Sequence, residues 1–287
     1  MAITAKIPLS VRNHDRDATH MTYVYPVISR RAGGVSVGIN LNPNNACNWR
    51  CIYCQVPNLQ RGAAPEIDFK LLEAELTSLL SDILQGDFMQ TRVPEDARRL
   101  NDIAISGNGE PTSAKEFPEI IQLIGRVMKR FGLVNKIKLV LITNGSLLAR
   151  TPVQLGLKRM AKLQGEVWYK LDAATRMGMA HINNTRQSLK KTAENLSLAA
   201  SLCPTFVQTC VFAQDGLPPS SSEQQAYLDF LASLIAQGVE LKGVLLYGIA
   251  RPSQQPEAPQ LSALPFAWME EFACNIDRIG LSVQITP

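Results

Sequence analysis

An α/β fold built on a parallel sheet is what this sequence predicts, and three observations predict it. Six β-like runs alternate with six helix-period segments, the pattern that lays strands side by side with right-handed crossovers. Ile137–Ile142 is a continuous apolar run broken only by Lys138, as a strand covered on both faces requires. The conspicuous polar motifs fall just past the carboxyl ends of these runs, where parallel β/α architectures bind their ligands. The β-loop-α repeat alone fits an open doubly wound sheet and a barrel equally.

The elements follow in order. Residues 1–31 are mixed polar with one β-like run, Tyr23–Ser29, and are expected to wrap the outside of the core. Gly33-Gly34 breaks the chain before the first clear strand, Val35–Leu41. Residues 1–34 read as an N-terminal extension and residues 35–287 as one core domain, because no Pro-, Gly- or Ser-rich linker divides them. Asp68 caps a helix whose apolar positions Phe69, Leu72, Leu76, Leu79, Leu80 and Ile83 step by three and four until Gly86 ends it. Residues 87–99 read as a charged connector. Strand Asp102–Ser106 leads to helix Glu116–Phe131, with Gly132 at its end, and then to strand Ile137–Ile142. Thr151 reads as a cap with Pro152 at the first helical position of a helix reaching Leu163. Strand Glu166–Leu171, helix Arg186–Leu202 and strand Thr205–Phe212 come next. Ser221-x-x-Gln224 resembles a capping box opening the fifth helix. Strand Leu241–Leu246, a Pro- and Gln-rich loop, helix Pro265–Arg278 and a short strand Leu281–Thr286 complete the chain.

Composition narrows the function classes. At 46% hydrophobic, the 287 residues can bury a sizeable core and do not read as disordered. No run of about 18 apolar residues is present to span a membrane. Met1–Asp17 is polar and offers no apolar secretory segment. Six cysteines, three of them packed together, do not read as a disulfide framework and fit a reducing, cytoplasmic setting. The net charge of +4 hides an asymmetry: Arg126–Lys191 hold fourteen Lys or Arg against Glu166 and Asp172, while the remainder is net −8. Such a segment fits either a basic face for a polyanion or the solvated outer faces of helices.

Asn45–Gln55 reads N-A-C-N-W-R-C-I-Y-C-Q, placing Cys47, Cys51 and Cys54 in a C-x3-C-x2-C run just after the first strand. Three thiolates on one loop can grip three irons of a cubane cluster. The next cysteine is Cys203, so one iron would stay open to an outside ligand, as a catalytic metal site needs. A partial zinc site and small buried apolar side chains are the other readings, although His14, His20 and His181 are scattered. Gly107-Asn108-Gly109-Glu110-Pro111-Thr112 follows the second strand; its glycines let the backbone approach a ligand and its carbonyls can accept hydrogen bonds from an ammonium. Thr143 and Asn144 follow the third strand, offering a hydroxyl and an amide to a carboxylate or ribose, or simply a good turn. Lys170 and Asp172 alternate by two on one strand face, as a ligand-holding pair or a structural ion pair. Gln208, Tyr247 and Arg251 are further candidates at strand ends, and His181 with Asn183 and Asn184 would touch substrate.

The cysteine spacing, with Tyr53 just before the last Cys, resembles the signature of the radical S-adenosylmethionine (SAM) superfamily. The resemblance implies a partial (β/α)6 TIM-like barrel with short terminal extensions. It also implies a 4Fe-4S cluster on Cys47, Cys51 and Cys54 whose open iron binds SAM, which the reduced cluster cleaves to a 5′-deoxyadenosyl radical that takes hydrogen from substrate. The Gly107–Thr112 stretch is similar to the family's "GGE" motif, which receives the SAM amino group, with Asn108 at the second glycine position. Tyr53, Gly107, Asn108, Gly109, Glu110, Thr143, Asn144, Lys170 and Asp172 are then the expected cofactor contacts. Gly38-Ile39-Asn40-Leu41, Tyr53–Gln55 and G-x-G-E-P-T are closest to the wyosine-type tRNA-modifying subgroup. No cysteine precedes Cys47, so the second cluster of the archaeal tRNA enzymes is missing, and their pyruvate-condensing reaction is not expected. A flavodoxin- or ferredoxin-like donor would supply the electron. RNA is the first substrate reading, a protein or peptide the second and a small molecule the third. A non-catalytic iron–sulfur protein for electron transfer or sensing is the competing class.

Overall fold

A computed structural model describes Leu9, residues 20–29 and residues 33–287. Apart from Leu9, the reading of Met1–Asp17 falls outside the described residues. One sheet of eight strands organises the chain: β1 (Val24–Ser29), β2 (Gly34–Ile39), β3 (Leu100–Ile105), β4 (Lys138–Thr143), β5 (Gly165–Lys170), β6 (Thr205–Val211), β7 (Leu241–Gly248) and β8 (Val283–Thr286). They pair in chain order, and every ladder from β2 to β8 is parallel. The first and last strands are not paired to each other, so the sheet curls into a partial barrel instead of closing. That is the fold class expected, with β8 adding a seventh parallel strand. The run Tyr23–Ser29 supplies β1, which joins the barrel wall and does not wrap outside it. Only four residues link it to β2, and so short a link permits only an antiparallel pair.

The helices are α1 (Phe69–Gln85), α2 (Phe88–Arg92), α3 (Phe117–Arg130), α4 (Thr151–Ala161), α5 (Arg176–Ile182), α6 (Leu189–Leu202), α7 (Ser221–Ala236) and α8 (Phe266–Asp277). The Asp68 side chain accepts from the Leu71 amide, and the Gly86 amide closes the end of α1, as its sequence predicts. Two caps sit one residue earlier than expected: Arg150 precedes α4, and Ser220, whose hydroxyl accepts from the Glu223 amide, caps α7. Two helices were not expected. The charged connector folds into α2, anchored by buried Phe88, and the loop before the fourth expected helix contains α5, capped by Thr175. That fourth helix accordingly starts at Leu189, behind the Ser188 cap.

Strand periodicity sorts the side chains into two environments. Ile103, Ile105, Leu139, Leu141, Val167 and Tyr169 are fully buried in the core cluster shared with the helices, alongside Leu72, Leu76, Phe117, Ile120 and Ile124. The alternate positions Asp102, Ala104, Ile142, Trp168 and Lys170 line a cavity instead. The polar loops that follow the parallel strands collect at one end of the barrel, the end at which those strands finish.

Candidate active site

The cavity measures about 310 Å³ and runs along the inner face of the sheet, with all three cysteines of the C-x3-C-x2-C run in its lining. The Cys loop lies across its end, held there by four other loops. A two-residue parallel ladder pairs Cys47 with Arg61. The amides of Arg50 and Ile52 donate to the carbonyls of Asn183 and Ile182 at 3.2 and 2.8 Å, which ties the loop to the end of α5. Asn48, between the first two cysteines, donates to the Ser146 hydroxyl at 2.7 Å and accepts from the Asn144 amide group at 2.8 Å, which binds it to the β4 loop.

The fourth anchor comes from more than 190 residues away in sequence. Ser253 Oγ donates to the carbonyls of Ile52 (2.7 Å) and Cys54 (3.1 Å), the Gln254 amide donates to Cys54 O (2.8 Å), and Gln255 Nε2 donates to Val56 O (3.1 Å). Arg50 grips Glu257 through two nitrogens at 2.8 and 2.7 Å. Alternate carbonyls of the Cys loop thereby find donors inside the protein, as buried backbone must.

The Gly107–Thr112 loop packs directly on the Cys loop, and its glycines are required by that approach. A Cβ on Gly109 would stand 2.0 Å from the Ala46 carbonyl oxygen. Gly107 adopts φ +147, and its Cβ would stand 2.4 Å from Asn40 Oδ1. Asn108 reaches Asn45 Oδ1 through its amide nitrogen at 2.6 Å, while its Oδ1 is buried with no hydrogen-bond partner.

Glu110 is 2% exposed, and its carboxylate is filled by the protein. Oε1 accepts from the Thr112 amide (3.1 Å) and the hydroxyls of Thr112 (2.5 Å) and Thr143 (2.6 Å), and Oε2 accepts from the Asn144 amide (2.7 Å). Three of these bonds share Oε1 and one reaches Oε2, so Glu110 fastens the β3 loop to the β4 loop. Burial pushes its pKa up, and the hydrogen bonds from Thr112 and Thr143 oppose the shift. Thr143 is spent in the same network, since its hydroxyl also accepts from the Gly145 amide at 3.0 Å.

Lys170 and Asp172 part company. The Lys170 ammonium faces the cavity, donates to the Tyr247 hydroxyl at 3.1 Å and lies 4.9 and 5.8 Å from the ring centres of Tyr53 and Tyr247. Burial works against its charge, but the neighbouring Tyr247 and Asp172 more than offset this, and the amine stays well above its ordinary pKa. Asp172 is not among the cavity-lining residues. It accepts from Tyr53 Oη (2.5 Å), Asn183 Nδ2 (2.7 Å) and the Cys210 amide (2.9 Å). Asn183 also donates to Cys51 Sγ at 3.3 Å, so one amide connects a cysteine of the loop to the buried carboxylate. Burial pushes the Cys47 thiol up to about 12, and it pushes Cys51 to about 11 even with the Lys170 charge acting against it.

No family model matches the chain. It is 27% identical, over 91% of its length and 74% of the other's, to a UPF0026 protein of Helicobacter pylori strain J99. Among solved structures it superposes on a radical SAM methyltransferase from Sphaerobacter thermophilus with a TM-score of 0.57 and 15% identity, over 88% of this chain and 66% of that one. It superposes on TYW1 with a lysine-pyruvate adduct bound with a TM-score of 0.56 and 14% identity, over 86% and 74%.

The chain has the radical SAM fold.

Within the radical SAM fold of this chain, the cysteines, Tyr53, Gly107, Asn108, Gly109, Glu110, Asn144, Lys170, Tyr247 and Arg251 line one cavity. Thr143 and Asp172 support it without lining it. Gln208 is 1% exposed on β6, and its Oε1 has no hydrogen-bond partner. His181 is exposed on α5 and bonds Gln214 at 2.7 Å; Asn184 is exposed and bonds Arg61, while Asn183 is buried as described. Sequence reasoning missed Asn48, Arg50, Ser253, Gln255 and Glu257. Asn48 and Arg50 lie between the cysteines and were open to suspicion on that ground, but nothing in the spacing marks Ser253 or Gln255.

Proposed function

We propose that the chain is a one-cluster radical SAM enzyme, with Cys47, Cys51 and Cys54 holding a 4Fe-4S cluster at the end of the cavity. The observation that carries this is the convergence of three thiols on one loop in the lining of a cavity that Asn108, whose buried Oδ1 is unpartnered, also lines. Thiolates are the ligands such clusters use. Among the described residues no group of three or more His, Cys, Asp or Glu is arranged to hold a metal ion. When bound, the cluster would pass one electron to the sulfonium of SAM, breaking a C–S bond to give methionine and a 5′-deoxyadenosyl radical that takes hydrogen from substrate.

The chain's own residues do the positioning. Asn108 Oδ1 is an acceptor for the SAM ammonium, and the Lys170 ammonium, held by Tyr247, is a donor for its carboxylate. Glu110, Thr143 and Asp172 fix the loops that carry these groups. A reducing donor of the flavodoxin or ferredoxin type supplies the electron.

RNA is carried forward as the first substrate to test, on charge alone. Of the fourteen cations in Arg126–Lys191, eight lie at the barrel end away from the Cys loop, because α3 and α4 run back from it, and Lys170 is inside. Several of the eight are paired, as Arg126 and Arg130 are with Glu73.

The test uses anaerobically reconstituted protein: iron per chain is measured, then 5′-deoxyadenosine after dithionite and SAM. About four irons per chain, with product lost in Cys51→Ala, is the expected result. A full cluster with no SAM cleavage, RNA or cell extract added, would point to electron transfer or sensing instead.

A further inference from the structure

Lys170 and Arg251 face the cavity beside the Cys loop, but three exposed cations on the other side of that loop do not. Arg61 is the ladder partner of Cys47, is exposed, and donates to Asn48 O and, at 2.7 Å, to Asn184 O. Arg186 stands two residues beyond Asn184, and Lys190 follows in the first turn of α6; both are exposed. None of the three lines the cavity. The segments that build this surface, residues 43–65 and 173–193, contain no Asp or Glu at all. The acids that reach these segments from outside are taken up locally: Glu257 by Arg50, Glu223 by the Thr175 hydroxyl at 2.8 Å and Glu194 by Lys191 at 3.3 Å.

A substrate must enter the cavity to react, whereas an electron donor needs only to come close to the cluster. A basic surface that touches the first cysteine's strand from outside, with its neighbouring acids already paired, therefore suits the second task. We infer that Arg61, Arg186 and Lys190 form the docking surface for an acidic one-electron carrier protein that reduces the cluster. This rests on the radical SAM reading above. One electron passes from the reduced carrier to the cluster, and the carrier leaves oxidised by one electron. Opposite charge steers such an encounter and makes its rate fall as salt rises.

The experiment compares the reconstituted wild-type chain with the double variant Arg186→Glu, Lys190→Glu. Cluster reduction is followed by stopped-flow absorbance with an acidic flavodoxin hydroquinone as the probe, and separately with dithionite, at low and high salt. The expected result is a flavodoxin rate about tenfold lower in the variant at low salt. The wild-type rate should fall steeply with salt and the variant's hardly at all, while dithionite-driven 5′-deoxyadenosine stays the same in both. An unchanged flavodoxin rate overturns the inference. So does an unchanged rate accompanied by loss of salt-sensitive RNA retention, which would assign the surface to nucleic acid. If wild-type protein makes no 5′-deoxyadenosine even with dithionite, the enzyme reading itself fails, and that result is distinct from a docking defect.

Discussion

Glu110 and Asp172 are two acids beside the cavity that each take hydrogen bonds from several loops and so behave as hubs. Replacing Glu110 by Gln keeps its size but turns one acceptor into a donor facing the Thr112 and Asn144 amides or the two hydroxyls. Leaving such buried donors unmatched costs about 1–3 kcal/mol. Glu110→Gln is expected to unfold at correspondingly lower denaturant, which chemical denaturation of the apo chain measures directly. Asn183→Asp is a sharper test, because it sets a second carboxylate 2.7 Å from Asp172 and removes the donor to Cys51. Like charges that close cannot both ionise cheaply. Iron bound per chain should drop below that of wild type and the melting temperature should fall; Asn183→Ala, which removes the donor without adding charge, should lose iron with a smaller thermal shift.

Elements decide the site by how closely they pack. Gly109→Ala would drive a methyl group into the Ala46 carbonyl, so the β3 loop and the Cys loop must separate. Overpacking of this kind costs about 1–3 kcal/mol. We expect Gly109→Ala to fold, by circular dichroism, yet to lose most of its 5′-deoxyadenosine formation. A second expectation concerns the loop after β7. Ser253→Ala with Gln255→Ala strips donors from the carbonyls of Ile52, Cys54 and Val56. Iron retention after gel filtration should fall in that variant, and full retention would show that the clamp does not matter to the cluster. The periodic helices and strands were readable because a regular apolar spacing needs only one neighbouring surface. The seven residues of α5, R-M-G-M-A-H-I, were not, since a helix so short with a glycine inside it has no stripe to read.

At the scale of the molecule, the parallel sheet divides what looked like one basic segment. In a β/α repeat each helix runs antiparallel to its strand, so cations at the C-terminal ends of α3 and α4 finish at the end opposite the Cys loop. They complement the helix dipole there. Lys158→Glu with Lys162→Glu is therefore expected to leave dithionite-driven 5′-deoxyadenosine within about twofold of wild type, with a stability loss of about 1 kcal/mol. A large loss of SAM cleavage would mean that the far end of the barrel matters to the reaction.

The sequence by itself determined the parallel α/β class, the order of the strands and of the longer helices, and the loop carrying Cys47, Cys51 and Cys54. Each of these depends on local spacing: a period of two or 3.6, a cap, or thiols within eight residues. Only the tertiary structure decided which polar residues line the cavity and which support it. Glu110 and Lys170 read alike as strand-end polar groups and both line the cavity, yet the carboxylate takes four hydrogen bonds from its neighbours while the ammonium donates to Tyr247. That difference rests on partners 33 to 77 residues apart. The anchoring of the Cys loop by Ser253 and Gln255 rests on separations of about 200 residues. A hydrogen bond across such a distance leaves no period in the chain, because it is made only once the sheet has curled and brought its loops to the same end.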